Sequence, residues 1–374
     1  MSSNPTESVL DQISTSASSH FYPLKVRTVE HDTRDAVTIV FDVAPEQEDE
    51  FAFTQGQYLT LRATIDGEDV RRSYSICSAV QDRRLRVAVK RTAQGLFSNW
   101  IVDHLKAGDV IEVMPPEGRF HIPLSPQHEK HYVAFAAGSG ITPIFSIIKT
   151  TLLAEPNSRF TLFYGNRASS SVILREELAE LKDRFMDRFS LIHIMSREHQ
   201  DVDVLNGRIT GEKSELLLKH WCPLEQVDTV FLCGPQEMIN DVSAKLESLG
   251  IPRARIKIEF FTVSAETKTR ARLVTAAAQA DCDVTLIVDG VEQSFHMERG
   301  SETVLDAALR RGIDLRHSCK SGVCATCRAK LIRGQVDMDS NYALEDYEVA
   351  RGFILTCQSY PVTDQVTIDF DQDT

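Results

Sequence analysis

Hydrophobic and polar residues follow three different rhythms along this chain. Between residues 21 and 128 they alternate in short runs: Leu24–Val29, Val37–Val43, Tyr58–Ala63, Val70–Cys77 and Arg84–Lys90. A period of two sends one set of side chains into a core and the other into water, the mark of half-buried strands. Asp66-Gly67 and Ala107-Gly108-Asp109 supply turns. The pattern predicts an antiparallel barrel or sandwich. From residue 131 the rhythm changes. Tyr132–Ala137 is a continuous apolar run, as in a strand covered on both faces. A helical stretch follows from Ile144. Phe160–Tyr164, Phe189–Met195, Thr229–Cys233 and Arg255–Phe260 read as strands, and Ile173–Phe185 and Pro235–Leu249 as amphipathic helices. Strand alternating with helix predicts a parallel, doubly wound sheet. Residues 264–281, rich in Ala, Thr and charge, read as a linker. Beyond it, Asp283–Val288 and Val291–Met297 flank Asp289-Gly290 as a hairpin. Thr303–Arg311 reads as a short helix, and Arg328–Arg333 and Val366–Phe370 as strands.

These rhythms divide the 374 residues into a tail (1–20), a strand-rich unit (21–128), an α/β unit (129–263), the linker and a C-terminal unit (282–374). Residues 1–19 contain nine Ser or Thr and no Lys or Arg. They lack the basic start and apolar run of a secretory signal and read as a disordered tail. No stretch approaches the roughly 18 apolar residues of a membrane span. A cytoplasmic location with reduced thiols is the expectation. The net charge of −13 argues against nucleic acid and anionic membrane as partners. Residues 282–374 hold 16 acidic and nine basic residues, about half of the net negative charge on a quarter of the chain. Such a unit suits docking on a basic protein surface.

Four of the eight cysteines are bunched. The spacing is Cys319-x4-Cys324-x2-Cys327, with Cys357 following at a distance. This is the plant-type [2Fe-2S] spacing: three thiolates on one loop and a fourth from a remote segment. Gly322 and Ala325 are small enough to let backbone N–H groups approach the sulfurs, and Ser318, Ser321 and Thr326 add donors. A four-thiolate zinc site is the alternative, although structural zinc usually uses two separate knuckles. His317 reads as a surface loop residue, and Cys77, Cys222 and Cys282 as structural.

Two further motifs precede the cysteines. Arg72-Ser73-Tyr74-Ser75 ends a strand of the first unit, and Gly95-Leu96-Phe97-Ser98 opens a helix. An arginine suits a pyrophosphate, an aromatic suits a flat ring, and a helix N-terminus suits phosphate. Val89 and Lys90 lie on the strand between them. In the second unit Ala137-Gly138-Ser139-Gly140-Ile141-Thr142-Pro143 joins the first buried strand to a helix, the context a dinucleotide loop requires. Gly138 and Gly140 permit a tight turn and close approach of phosphate. Pro143 fits the first helical turn. Cys233-Gly234-Pro235 joins a later strand to its helix, and Glu259-Phe260-Phe261 closes the unit. After the second strand, Tyr164-Gly165-Asn166-Arg167 carries no acidic residue for ribose hydroxyls. Arg167, with Ser169 or Arg208, is suited to a 2′-phosphate, so NADPH is expected over NADH.

Together these motifs resemble the ferredoxin–NADP reductase-like reductase components of multicomponent oxygenases, over residues 21–370. The resemblance implies a flavin-binding β-barrel, a doubly wound NADP-binding domain and a C-terminal β-grasp ferredoxin domain. It implies FAD (with FMN as the alternative), NADPH as donor and a [2Fe-2S] cluster held by Cys319, Cys324, Cys327 and Cys357. It assigns Arg72, Tyr74, Ser75, Val89, Lys90, Gly95 and Ser98 to the flavin. Gly138, Gly140, Thr142, Pro143, Arg167, Arg208, Gly234 and Pro235 fall to the nicotinamide cofactor, and Cys233 and Glu259 border the reacting rings. Hydride arrives as an electron pair, and single electrons leave through the cluster to an oxygenase, expected to be di-iron and multi-subunit. Tyr164-Gly165-Asn166-Arg167, Gly207-Arg208-Ile209, Gly211-Glu212-Lys213, Gly322–Cys327 and Asn341-Tyr342-x-Leu344 are most similar to reductases serving ring 1,2-epoxidation of phenylacetyl-CoA. Reductases of ring-hydroxylating, steroid or demethylating oxygenases, and a standalone electron-transfer or redox-sensing protein, are the competing readings.

Overall fold

The computed structural model describes residues 21–261 and 281–372. The expected tail and almost all of the expected linker lie outside these residues. The first unit contains β1 (Tyr22–Thr33), β2 (Ala36–Asp42), β3 (Tyr58–Ile65), β4 (Glu68–Ser75), β5 (Leu85–Lys90), helix α1 (Leu96–His104) and β6 (Val110–Val113). They form one antiparallel sheet ordered β4-β3-β6-β1-β2-β5. Ile76, just past β4, bridges Val87 of β5, so the sheet curls back on itself. Its interior is filled by alternate side chains such as Leu24, Val26, Ile39, Leu59, Leu61 and Val87. α1 adds Phe97 and Ile101 to that core.

The second unit runs β7 (His131–Ala137), α2 (Ile141–Ala154), β8 (Arg159–Asn166), α3 (Arg175–Arg184), β9 (Phe189–Met195), α4 (Gly211–Trp221), β10 (Thr229–Gly234), α5 (Gln236–Ser248) and β11 (Ile256–Phe260). All five strands are parallel, in the order β11-β10-β7-β8-β9. The direction of winding reverses between β7 and β10, and ligands bind such sheets at the carboxyl ends of the strands at that point. α4 is not among the helices expected from the sequence, although Thr210 caps it by accepting from the Lys213 N–H at 3.2 Å.

One core cluster joins these two units. Ala36, Cys77, Ala88 and Phe120 of the barrel pack with Ile144, Phe145 and Ile148 of α2 and with the sheet. Arg86 of β5 donates to both carboxylate oxygens of Glu177 on α3, at 2.6 and 2.5 Å. Asp32 accepts from the Leu174 N–H at 3.0 Å, where Leu174 takes a left-handed φ of 57° at the start of α3. Such strain persists only where the surroundings over-determine it. The cleft between barrel and sheet is therefore built on fixed walls.

The third unit has its own core. Its elements are β12 (Asp281–Val288), β13 (Val291–Glu298), α6 (Val304–Arg310), β14 (Arg328–Arg333), β15 (Val336–Met338), α7 (Asp346–Ala350), β16 (Phe353–Leu355), β17 (Ser359–Pro361) and β18 (Gln365–Asp369). A mixed sheet ordered β13-β12-β18-β14-β16 grips α6, and β15 pairs with β17. No helix among the described residues is long and apolar enough to cross a membrane.

Candidate redox centre

On β4, Tyr74 stacks at 6.1 Å on Phe97 of α1, and burial raises its phenol pKa. Arg72 next to it is exposed, its guanidinium donating to the Arg71 carbonyl at 2.7 Å. Val89 is buried in the barrel. Lys90 follows it toward the second unit; burial, and then Arg167, lower its ammonium pKa. Lys90 and Arg167 line one cleft with Asp35, Arg91, Thr92 and Asn99. Two neighbouring cations whose proximity costs energy make a seat for an anion. Gly95 caps α1, while the Ser98 hydroxyl is turned inward to accept from the Thr92 N–H at 3.2 Å. Ser98 thus shapes the loop in front of the helix.

At the sheet's reversal point, Gly138 has a φ of 56°, and a Cβ there would lie 3.6 Å from the Lys90 Nζ. Tyr164, to which the sequence motif assigns no role, donates to the Gly138 carbonyl at 3.0 Å and pins this turn. Thr142 donates to the Ser139 carbonyl at 3.0 Å, and Pro143 is buried in the first turn of α2. Gly140 lies directly against Cys233, and Gly234 against Ala137 and Met238. Pro235 caps α5.

Cys233 and Glu259 are register partners on β10 and β11. Ser75 reaches across from the barrel and donates to the Glu259 carboxylate at 3.3 Å. Three segments remote in sequence thus converge where the barrel faces the sheet. Burial, and then the neighbouring Glu259, push the Cys233 thiol well above its usual range. It is an uncharged packing element there, since only a thiolate is an effective nucleophile. Glu259 keeps some accessible surface, yet burial presses its carboxyl up to about 8, with the Ser75 hydrogen bond opposing. Below that pH the group is neutral; above it, a carboxylate opposes the arrival of hydride beside it. NADPH-driven reduction of ferricyanide should therefore fall as pH rises through about 8. Glu259→Gln, which stays neutral, should flatten that fall in kcat/KM; a fall preserved in the variant removes Glu259 from this role.

Two residues assigned to the coenzyme are less well placed. The Arg208 side chain is 83% exposed and meets Glu237 at 3.7 Å. Ser169 is committed to Glu198, which accepts from its N–H at 2.7 Å and from its hydroxyl at 2.5 Å. Glu198 comes from the loop after β9, so the acidic residue missing after the second strand arrives from elsewhere. Arg167 alone of the three faces the cleft with Lys90.

In the third unit the thiols come as two pairs. Cys324 and Cys319 lie 3.1 Å apart. The thiol of Cys324 holds Cys319 below its ordinary value, and that of Cys327 does the same for Cys357. Two thiol pairs are what two irons require. Gly322, at φ 75°, presses against the Ser340 carbonyl, where a Cβ would stand 2.8 Å away. The loop therefore fits a [2Fe-2S] cluster, in which Cys319 and Cys324 would hold one iron and Cys327 and Cys357 the other. His317 departs from the surface position expected of it: it is 8% exposed, and its Nδ1 lies 2.8 Å from the Leu315 carbonyl and 3.2 Å from Arg71. The other cysteines, Cys77, Cys222 and Cys282, are buried, as expected.

Comparison with known proteins agrees with this three-part arrangement. Models of an oxidoreductase FAD-binding domain, an oxidoreductase NAD-binding domain and a 2Fe-2S iron–sulfur cluster binding domain match residues 23–122, 135–244 and 286–362. One of the subunits of the 1,2-phenylacetyl-CoA epoxidase of Escherichia coli is 44% identical over 94% of this chain and 98% of its own length. The chain belongs to the oxygenase reductase family. This reductase is also 34% identical to the ferredoxin reductase component of 3-ketosteroid-9-alpha-monooxygenase from Rhodococcus rhodochrous, over 93% of the chain and 96% of that protein. The solved structure of phthalate dioxygenase reductase, 25% identical, superposes with a TM-score of 0.57 over 94% of this chain and 98% of that one. The reductase is thus an oxidoreductase with FAD, NAD and 2Fe-2S domains that serves an oxygenase.

Proposed function

We propose that this reductase supplies electrons from NADPH to a phenylacetyl-CoA epoxidase, a di-iron, multi-subunit oxygenase of the cytoplasm. The observation that carries the reading is the 44% identity, end to end, with one component of such an enzyme. With four cysteines assigned to the cluster, the other four, Cys77, Cys222, Cys233 and Cys282, are buried separate thiols, which suits a reducing compartment. When bound, the flavin takes two electrons together and releases them singly, and the cluster carries them one at a time. The chain's own work is placement. Gly138 lets the coenzyme approach the backbone beside Lys90, while Gly140 and Gly234 let the two glycine turns pack closely together. Tyr74 and Ser75 would orient the flavin, and Arg72 would hold its pyrophosphate. Arg167 and Lys90 favour a phosphate, which supports NADPH over NADH.

Reconstitution tests both parts. The reductase, mixed with purified epoxidase subunits, phenylacetyl-CoA and NADPH, should form the ring epoxide in step with NADPH consumption. Product with a ketosteroid oxygenase and none with the epoxidase would overturn the partner. In the same assay Arg167→Ala should raise KM for NADPH more than for NADH. Loss of one charge-assisted contact, about 1.5–3 kcal/mol, corresponds to an increase of roughly 10- to 100-fold. An equal effect on both coenzymes would remove Arg167 from the phosphate site.

A further inference from the structure

β4 meets two different neighbours through its pleat. Successive side chains of a strand point to opposite faces. Tyr74 lies on the face that packs into the barrel, against Phe97. Arg71 and Ser73 lie on the other face, paired across the ladder with Arg62 and Thr60 of β3. That outer face is covered by the iron–sulfur loop of the third unit. Arg71, 5% exposed, donates to Asp314 at 2.9 Å and to the Leu315 carbonyl at 3.3 Å. Ser73 donates to the Ser318 hydroxyl at 2.9 Å. Thr60 lies 3.2 Å from Ser73 and 3.5 Å from Thr326. Tyr58 lies 3.2 Å from Thr326, accepts from the Ala325 N–H at 3.2 Å and donates to Glu117 at 3.4 Å.

A continuous chain of five hydroxyls thus runs from Ser318, beside Cys319, through Ser73, Thr60 and Thr326, beside Cys327, to Tyr58. Its barrel members flank the residues assigned to the flavin. The contact with Ala325 is the informative one. A backbone N–H inside the cysteine loop is a donor suited to a sulfur, yet here it is taken by a side chain of the flavin barrel. The Tyr58 ring is buried, so this hydroxyl cannot exchange its partner for water without undocking the loop.

We propose that Tyr58 is the positioning residue that registers the iron–sulfur loop on the flavin barrel for electron transfer within the chain, with Ser73 as its partner toward the other end of the hydroxyl chain. Ser73, within Arg72-Ser73-Tyr74-Ser75, then reads the ferredoxin unit, while its neighbours read the flavin. The proposal rests on the reductase reading above and extends it to the step between its two resident cofactors.

Tyr58→Phe removes the hydroxyl and keeps the ring. One lost hydrogen bond of about 1 kcal/mol lowers the docked-to-undocked ratio roughly fivefold. In the full-length holoprotein mixed anaerobically with NADPH, appearance of the reduced-cluster EPR signal should slow, and further in Tyr58→Phe/Ser73→Ala. Hydrogen exchange across residues 320–327, which reads that ratio directly, should speed up about fivefold in Tyr58→Phe and further in the double variant. NADPH-driven ferricyanide reduction should be unchanged, which separates this step from hydride transfer. Exchange across residues 320–327 and cluster reduction both unchanged from wild type in both variants would overturn the proposal. So would an equal loss of ferricyanide reduction, which places the defect at the flavin. If Tyr58→Phe does not fold, Ser73→Ala alone, which removes no ring, carries the same two outcomes. Absence of ferricyanide reduction in the wild-type protein would instead refute the reductase reading.

Discussion

Replacing Cys324 by serine should abolish the visible absorbance and EPR signal of the cluster, and with them all electron delivery to the oxygenase, while NADPH-driven ferricyanide reduction continues. Cys324 forms one of the two thiol pairs, 3.1 Å from Cys319, and the soft thiolates that hold iron–sulfur clusters are poorly replaced by a hydroxyl. An iron with one thiolate fewer is lost, and the binding energy that it lent to folding of the third unit goes with it. The damage should stop there. The third unit is built on its own core of residues such as Val284, Leu305, Phe353 and Ile368. The flavin and coenzyme clefts stand on the barrel core and on the core it shares with the α/β unit. The measurement is paired: the spectrum after anaerobic purification, and ferricyanide and cytochrome c reduction on the same sample. Loss of both NADPH-linked activities would show that the three units do not divide the labour in this way.

The iron–sulfur domain is the most legible part of the molecule because its information is local: three cysteines within nine residues and small side chains between them. The parallel sheet is legible for a related reason. Its strands are buried on both faces, so Tyr132–Ala137 could hardly be anything else, and the glycine turn follows directly. What the sequence hides depends on contacts between remote segments. Arg71 meets His317, 246 residues away, and Tyr58 meets Ala325, 267 residues away. Neither arginine nor tyrosine on a strand carries a local sign that a second domain will cover it. His317 looks like a solvated loop residue for that reason; its burial is a property of the docked barrel, not of the loop. Glu198 is hidden similarly, since the loop after β9 reaches the loop after β8 only once the strands lie side by side. α4 is different. Its capping threonine and amphipathic run are present in the sequence, and Asn206 and Gly207 just before them, with Gly211 as the first helical residue, obscure the start of the helix.

Gly140 should prove the most intolerant position of the coenzyme cleft. Its φ is −60°, an angle that any residue adopts, so conformational freedom is not why glycine stands there. Space is. A Cβ on Gly140 would lie 2.2 Å from the Cys233 carbonyl oxygen, 2.5 Å from its carbon and 2.9 Å from the Gly234 nitrogen. All three are backbone atoms, held by the pairing of β10 with β7 and β11, so no rotamer change relieves the clash. Gly140→Ala must either push β10 outward or lift the glycine turn off the sheet. Overpacking of this kind costs about 1–3 kcal/mol of stability. The functional loss should be larger, because the displaced residue, Cys233, is the register partner of Glu259. A displacement of about 1 Å at reacting groups lowers turnover by roughly 100-fold. The expected result is a drop of that order in kcat/KM for NADPH with ferricyanide as acceptor, with the cluster spectrum intact. Gly67→Ala is the control. It sits in a turn at φ 85° with nothing within 4 Å of the added Cβ, so it strains the backbone without touching the cleft. It should lose stability but keep its kcat/KM. If Gly140→Ala behaves like that control, the close contact between the two glycine turns does not position the coenzyme, and the reacting rings must be held by other elements of the cleft.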